Sequence, residues 1–346
     1  VASWTLDVYN RTGSTLVQAD IPFRGLAARW ELNGAGSLEA DFALEAAGLT
    51  AAAVGQHELQ LKRNGTTVWA GPLLQTDVDP QGRTVRFAAQ GLLSWLGSRV
   101  VTTDLYYNAV AQQTIAWNLI SHTQGQANGS LGLVQGTHTG TSKTRTKAYC
   151  GLYERPNVLE ELLKFTGYDD GLDFDIDPAT REFDTWYGSR GAASGLTLSG
   201  TNLDELTYVE SAAEMVTYAT AIGEGDCKPN VQDHVAPGSE PTTYGRRHAV
   251  VDVEDTITAD ILAQAKELVN AGKRTRFDAS VAFREGGTGA PAWGSWAVGD
   301  TLTLTDNRGY SNFSRTLRIA GWSVALDRGL PGIAYVQMDL TSAVGA

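Results

Sequence analysis

Apolar and polar residues alternate along most of this chain, and two of the alternating stretches look like copies of one β-unit. Residues 54–89 read VGQHELQLKRNGTTVWAGPLLQTDVDPQGRTVRFAA, and residues 298–340 read VGDTLTLTDNRGYSNFSRTLRIAGWSVALDRGLPGIAYVQMDL. Each opens on Val-Gly (Val54-Gly55, Val298-Gly299) and returns from a turn through Ala-Gly (Ala70-Gly71, Ala320-Gly321). Each then carries an Asp six residues beyond that glycine, Asp77 and Asp327. A duplicated β-unit gives one subunit two similar faces, so three subunits can build a ring of six. The copies are imperfect, because Leu59 and Leu61 are one position out of step with Leu302 and Leu304. The second is also about six residues longer before its Ala-Gly pair. The Asn64-Gly65 turn and a turn within Asn307 to Phe313 are expected in equivalent places.

Period-two alternation extends beyond these copies. Trp4, Leu6 and Val8 alternate, as do Leu38, Ala40, Phe42 and Leu44, which predicts half-buried strands. Asn64-Gly65 signals a type I′ hairpin and Asp79-Pro80-Gln81-Gly82 a looser turn. Short helices are expected at 46–55 and 91–99, the latter packing Leu92, Leu93 and Trp95. Residues 102–124 place Ile115, Leu119 and Ile120 at helical spacing, and a polar surface loop is expected to follow through 147. At 157–167 a helix is predicted, capped by Asn157 and stopped by Gly167. The next segment reads as a hairpin with Phe174 and Ile176 inward, Asp173, Asp175 and Asp177 outward, and a turn at Asp177-Pro178. A strand at 214–225 leads into a Pro- and Gly-rich loop through 247. A helix capped by Thr258 and closed by Gly272 follows, with Ile261, Leu262, Ala265, Leu268 and Val269 on its apolar face, and then a strand at 276–284.

The fold class expected is mainly β with α+β insertions. Residues 1–98 form a first β domain and 99–205 an α/β middle domain. Residues 206–246 with 293–346 form the second β domain, interrupted by a strand-helix-strand insert at 247–292. At 346 residues with 42% apolar content the chain can bury several modest cores. A net charge of −12 argues against a protein that grips a nucleic-acid backbone. No apolar run is long enough to span a bilayer, and the first residues lack the basic and apolar regions of a signal peptide, so a soluble chain without Sec-type export is expected. Cys150 and Cys227 fit no disulfide framework or zinc spacing and read as free thiols.

Candidate chemistry is thin. Asp173, Asp175 and Asp177 match the first three acidic positions of a calcium loop, but Pro178 and Asp184 stand where that loop needs Gly and Glu. With Asp169 and Asp170, this acidic run reads as the solvated face of a hairpin. Glu160, Glu161, Asp169 and Asp170 offer carboxylates for glycoside hydrolysis, and also the ordinary surface of a helix. No GxSxG, HExxH or Walker loop occurs. His57, His122, His138, His234 and His248 lie far apart in the sequence. The pair Trp293 and Trp296 is the best aromatic platform, while Trp4, Trp30, Trp69, Trp95 and Trp322 read as core. The glycine-rich segment 285–291 lacks the strand-then-helix flanks of a phosphate cradle and reads as a hinge or interface loop. No catalytic, cofactor-binding or metal-ligating residue is therefore assigned, and no cofactor is expected.

The order of these signals resembles the tail-tip hub, or minor tail protein, of long-tailed phages, especially those of actinobacteria. The residues that carry the resemblance are RWELNGAGSLEADFAL (29–44), LQLKRNGTTVWAGPL (59–73), VRFAAQGLLSWLGSRVV (85–101), NVLEELLKFTGYDDGLDFDID, YGRRHAVVDVEDTITADILAQAKELV (244–269) and the closing WAVGDTLTLTD with LRIAGWSVALD. That family is similar to the baseplate hub of contractile phages. The resemblance implies two tail-tube-like β-barrel domains, an α/β domain between them and a smaller insert. It implies a homotrimer whose duplicated domains form a pseudo-hexameric ring at the distal end of the virion tail, assembled in the host cytoplasm. Implied partners are the distal tail protein or tube ring, the tape-measure protein, tip, fibre or receptor-binding proteins, and the host envelope. The resemblance implies that DNA passes through the channel without stable binding; beyond it, an acidic lumen that repels DNA is expected, and the loops at 125–147 and 226–247 are expected to be partner-contact segments that order on assembly. The competing expectations are a carbohydrate- or receptor-binding β-protein using Trp293 and Trp296, and a cell-wall hydrolase.

Overall fold

A computed structural model describes residues 2–141, 143–200, 203–223, 230–253, 257–327 and 334–342. The chain is mainly β. Its first part holds β1 (Trp4–Asn10), β2 (Leu16–Gln18), β3 (Phe23–Glu31), β4 (Ser37–Ala43), β5 (His57–Arg63), β6 (Thr66–Asp79) and β7 (Thr84–Gln90). A middle part follows with β8 (Leu105–Ala111), α1 (Gln112–Gln124), β9 (Val134–Thr139), β10 (Thr144–Tyr149), α2 (Val158–Thr166), β11 (Leu172–Ile176) and β12 (Glu182–Tyr187). Next come β13 (Ala193–Ser199), β14 (Glu205–Ser211), β15 (Tyr218–Gly223), β16 (Asn230–Val235), α3 (Glu240–Tyr244), β17 (His248–Val253) and α4 (Thr258–Gly272). The chain then runs through β18 (Arg276–Arg284), β19 (Thr301–Arg308), β20 (Ser311–Asp327) and β21 (Ala334–Ser342).

Two six-strand units share one topology. The first is ordered β3-β4-β7-β6-β5-β1, the second β14-β18-β21-β20-β19-β13. In both, the second strand lies beside the third, followed by the sixth, fifth, fourth and first. The two units form one thirteen-stranded sheet because β20 pairs antiparallel with β3, from Gly321 opposite Glu31 to Asp327 opposite Gly25. Alternate side chains from both units fill a shared core, including Leu38, Phe42, Trp69, Phe87, Phe283, Leu304 and Val336. The units differ at their margins. β1 runs antiparallel to β5, whereas β13 runs parallel to β19.

The hairpins show which part of the sequence repeat is structural. Asn64 (φ 50°) and Gly65 (φ 83°) form the tight β5–β6 turn, and Gly309-Tyr310 lies at the corresponding point between β19 and β20. Gly55 N donates to Leu73 O and Gly299 N to Ile319 O, both at 2.8 Å, so the Val-Gly openings are equivalent. The Ala-Gly pairs are not. β6 slips against β7 just after Leu73, and β20 slips against β21 just after Ile319. Each slip is a β-bulge at the same topological point, which makes Leu74 the counterpart of Ala320 and Asp77 the counterpart of Ser323. Ala70-Gly71 therefore precedes the bulge, while Ala320-Gly321 spans it. Gly71 has its own role: a Cβ there would stand 1.8 Å from the Gln90 carbonyl oxygen.

Several other expectations change. Residues 105–111 form strand β8, and only α1 is helical, with Ile115, Leu119 and Ile120 buried as expected. The segments at 46–55 and 91–99 give only 3-10 turns, at Leu49–Ala51 and Leu92–Ser98. In the latter, Leu96 is fully buried and Trp95 only partly. The expected loops contain β9, β10, β16 and α3; their Thr-, Gln- and Asn-rich strands lack the apolar alternation that reveals a strand. Residues 224–229, which include Cys227, lie outside the described residues. Cys150 is half-buried and free. The expected boundaries also shift: β13 joins the second unit's sheet, and the insert begins at β15, whose sheet β16-β15-β17 packs on α4 through Ala219, Ala221, Ile261, Ala265 and Val269. β18 belongs to the main sheet.

Candidate functional site: buried charge clamps and open sheet edges

The expected hairpin of β11 and β12 forms, with Phe174 and Ile176 buried, but its outer face is not solvated. Asp173 and Asp175 are 7% and 4% exposed, so the expected outward orientation is overturned. Asp173 accepts from Asn33 Nδ2 (2.7 Å) and Arg190 N (2.6 Å) and pairs with Arg318 of β20. Asp175 accepts from Trp30 Nε1 of β3 (3.2 Å) and Ile176 N (2.8 Å), and pairs with Arg190. Buried carboxylates need such partners, and here the partners come from both β units. Asp177 instead shapes its turn, its Oδ1 accepting from Ala179 N and Thr180 N at 2.8 Å.

Two more clamps tie the middle part to its neighbours. Arg181, just before β12, reaches Glu58 of β5 through Nη1 at 2.9 and 3.0 Å, and Gln60 Nε2 donates to the same carboxylate at 2.9 Å. Arg145 of β10 pairs with Asp170 and with Asp260 of α4, its guanidinium lying 4.0 Å over the Tyr168 ring. No sequence motif marks these arginines, because the partners Glu58 and Asp260 lie 123 and 115 residues away. Burial pushes Asp175 up to about 6 despite Arg190, and raises Glu58 despite Arg181. Asp170 is held below the usual carboxylate range, its burial outweighed by hydrogen bonds from Lys143 and Arg145. Glu267, on α4, is pushed up to about 7 by burial and by repulsion from Asp169 and Asp173.

The remaining chemical candidates are dispersed. Glu160 and Glu161 lie in the first turn of α2, which Asn157 caps by accepting from Glu160 N at 3.2 Å; Glu161 pairs with Lys164. His57 accepts from Ala53 N, His122 from Thr102 N, His138 bonds Thr185 and His248 bonds Thr220, each in a different part of the fold. His234 lies on β16. Trp296 is buried, and Trp293 is contacted by Trp4, Trp296 and Trp322 at ring angles of 88°, 64° and 77°, with Arg63 over its ring. With Trp296 buried and Trp293 half-buried among other indoles, the pair packs largely as core rather than as an exposed platform. Strand β18 precedes 285–291, and the next described element is strand β19, not a helix, so the strand-then-helix order of a phosphate cradle is absent among the described residues. A cleft of about 800 Å³ between the insert and the second unit is lined by Arg276 and Arg315, paired with Glu214 and Glu210. No group of three potential metal ligands occurs among the described residues.

What the fold does leave open is sheet edge. The first half of β6 pairs with β5 and its second half with β7, leaving one side of Gln75–Asp79 without a strand partner among the described residues. β14 likewise pairs only with β18. Leu74, Val78 and Val209 are exposed along these edges, Val209 at 64%. Exposed apolar edge strands are templates for pairing with another chain.

No known protein-family model and no curated protein matches the sequence. Solved structures do match the fold over nearly its whole length. The tail protein from Neisseria meningitidis MC58 is 13% identical with a TM-score of 0.67, covering 98% of this chain and 97% of that one. Prophage tail protein gp18 from Listeria monocytogenes EGD-e is 12% identical, TM-score 0.65, covering 99% and 95%. The E. coli c3393 protein, a type VI secretion component with structural similarity to T4 bacteriophage tail proteins gp27 and gp5, is 9% identical, TM-score 0.55, covering 98% and 77%. The fold of this chain is thus one found in phage tail proteins.

Proposed function

We propose that this chain is a non-enzymatic structural hub of a bacteriophage tail tip, located in the virion at the distal end of the tail. Three copies form a ring of six similar β units, joining a hexameric tail tube or distal tail ring to three-fold tip or fibre proteins. The observation that carries this reading is the repeated strand order within one sheet, which gives each subunit two equivalent faces. A six-fold tube cannot meet a three-fold tip without mismatch, and a trimer of duplicated units removes it. We further read the chain as two tube-like β domains, an α/β middle domain and an insert. The buried clamps at Glu58–Arg181, Asp173–Arg318 and Arg145–Asp260 support a rigid frame on which both units hold fixed places. The chain's charge of −12 suits a channel wall past which DNA slides without being held. Light scattering should give a particle of three times the 37.0 kDa chain mass. A stable monomer at high protein concentration would contradict the proposal.

A further inference from the structure

The internal joint between β20 and β3 has a missing counterpart. In the matching of the two units, β6 corresponds to β20 and β14 to β3. Yet β20 and β3 are paired with each other, whereas the second half of β6 and the outer side of β14 stand open among the described residues. Within one chain β14 ends the sheet path, and β6 lies far along it, beyond β20, β3, β4 and β7.

Resting on the ring reading above, we propose that β6 of one subunit pairs antiparallel with β14 of the next, reproducing the β20–β3 joint between subunits. The occupant of each open edge is a second copy of this chain, and three such heterologous joints alternate with three internal ones around the ring.

The bulges set the register. Ile319 and Leu73 precede equivalent slips, so Val324, opposite Ala28 in the internal joint, corresponds to Val78. Through the pairs Ala28 with Leu38, Leu38 with Ala89, Ala279 with Leu340 and Tyr208 with Ala279, Ala28 corresponds to Tyr208. Val78 therefore falls opposite the neighbour's Tyr208, Asp77 opposite Val209, Asp79 opposite Thr207 and Gln75 opposite Ser211. The faces agree with this register. Val78 lies opposite Val85, which is buried in the core, and Tyr208 packs on Phe277 and Phe313. Joining the edges puts Val78 and Tyr208 on the core side, and no like charges stand directly opposite one another. A slip of one residue would turn every side chain to the wrong face.

Paired cysteines test the register. In a full-length chain carrying Cys150→Ser and Cys227→Ser, the double variant Asp77→Cys with Val209→Cys should oxidise to a covalent trimer and no larger species. The control Asp77→Cys with Glu205→Cys, four residues or roughly 14 Å out of register, should stay unlinked. If the protein is trimeric by light scattering but Asp77→Cys with Val209→Cys does not link, or if the control links equally well, the strand pairing is overturned and the ring reading survives. A monomer that links in neither variant overturns both. Covalent ladders running beyond three subunits would overturn ring closure.

Discussion

The two six-strand units share an order but not their surroundings. In the first unit, β3 passes to β4 through a short turn at 32–36, whereas in the second, β14 reaches β18 only after β15, β16, α3, β17 and α4. The longer connection has its own core and leaves the sheet intact, consistent with the slow growth of loop-closure cost with length. The units are also tied down differently. A fully buried Glu58 holds the first unit to the middle part through Arg181, whereas the second is held through Arg318, whose partner Asp173 keeps other donors. Strand order is thus what both units keep, while their connections and anchors diverge.

The largest test of that contrast is to break each clamp. Arg181→Ala should cost about 3–5 kcal/mol, because it leaves the Glu58 carboxylate buried with only Gln60 as a side-chain donor. Arg318→Ala should cost less, about 1–3 kcal/mol, because Asn33 and the Arg190 amide still serve Asp173. Denaturant unfolding measures both, and equal losses would erase the distinction between anchors. Next are the glycines that the sequence repeat equates. A Cβ at Gly71 would stand 1.8 Å from a backbone oxygen, against 2.7 Å at Gly321. Gly71→Ala should therefore destabilise by about 1–3 kcal/mol and Gly321→Ala by less, and the reverse order would restore the Ala-Gly alignment.

The smallest effect concerns the insert, which only the second unit carries. Glu267 has its folded pKa raised from 4.5 to about 7, so the folded chain binds a proton across that window that the unfolded chain does not. Its contribution to stability therefore improves as pH falls from about 7 toward 4.5. Glu267→Gln should raise stability by about 1 kcal/mol at pH 8, after allowance for its partial exposure, and the gain should vanish near pH 4, below the unfolded pKa. Thermal melts at the two pH values check this, and an equal gain at both would remove electrostatic repulsion as the cause.

The strands of the main sheet were legible because their apolar residues keep period two, as at Leu38, Ala40 and Phe42. The Asn157 cap was legible because capping is local. Asp173 and Asp175 were misread because the same period, written in carboxylates, describes a wet face. Their burial depends on Arg190 and Arg318, 15 and 145 residues away. The duplication showed in the sequence, but its register did not: bulges at Leu74 and Ala320 align the hairpins, and the Ala-Gly match is coincidental. The open edges could not be seen at all, since an edge is defined by which strand fails to arrive.

Averaged electron-microscope images of the assembled protein, viewed down its axis, test the central claim most directly. The account predicts a ring of six lobes with three-fold symmetry, the insert, present once per chain, marking every second lobe. A ring with any other number of lobes, or a field of single two-lobed particles, would contradict it.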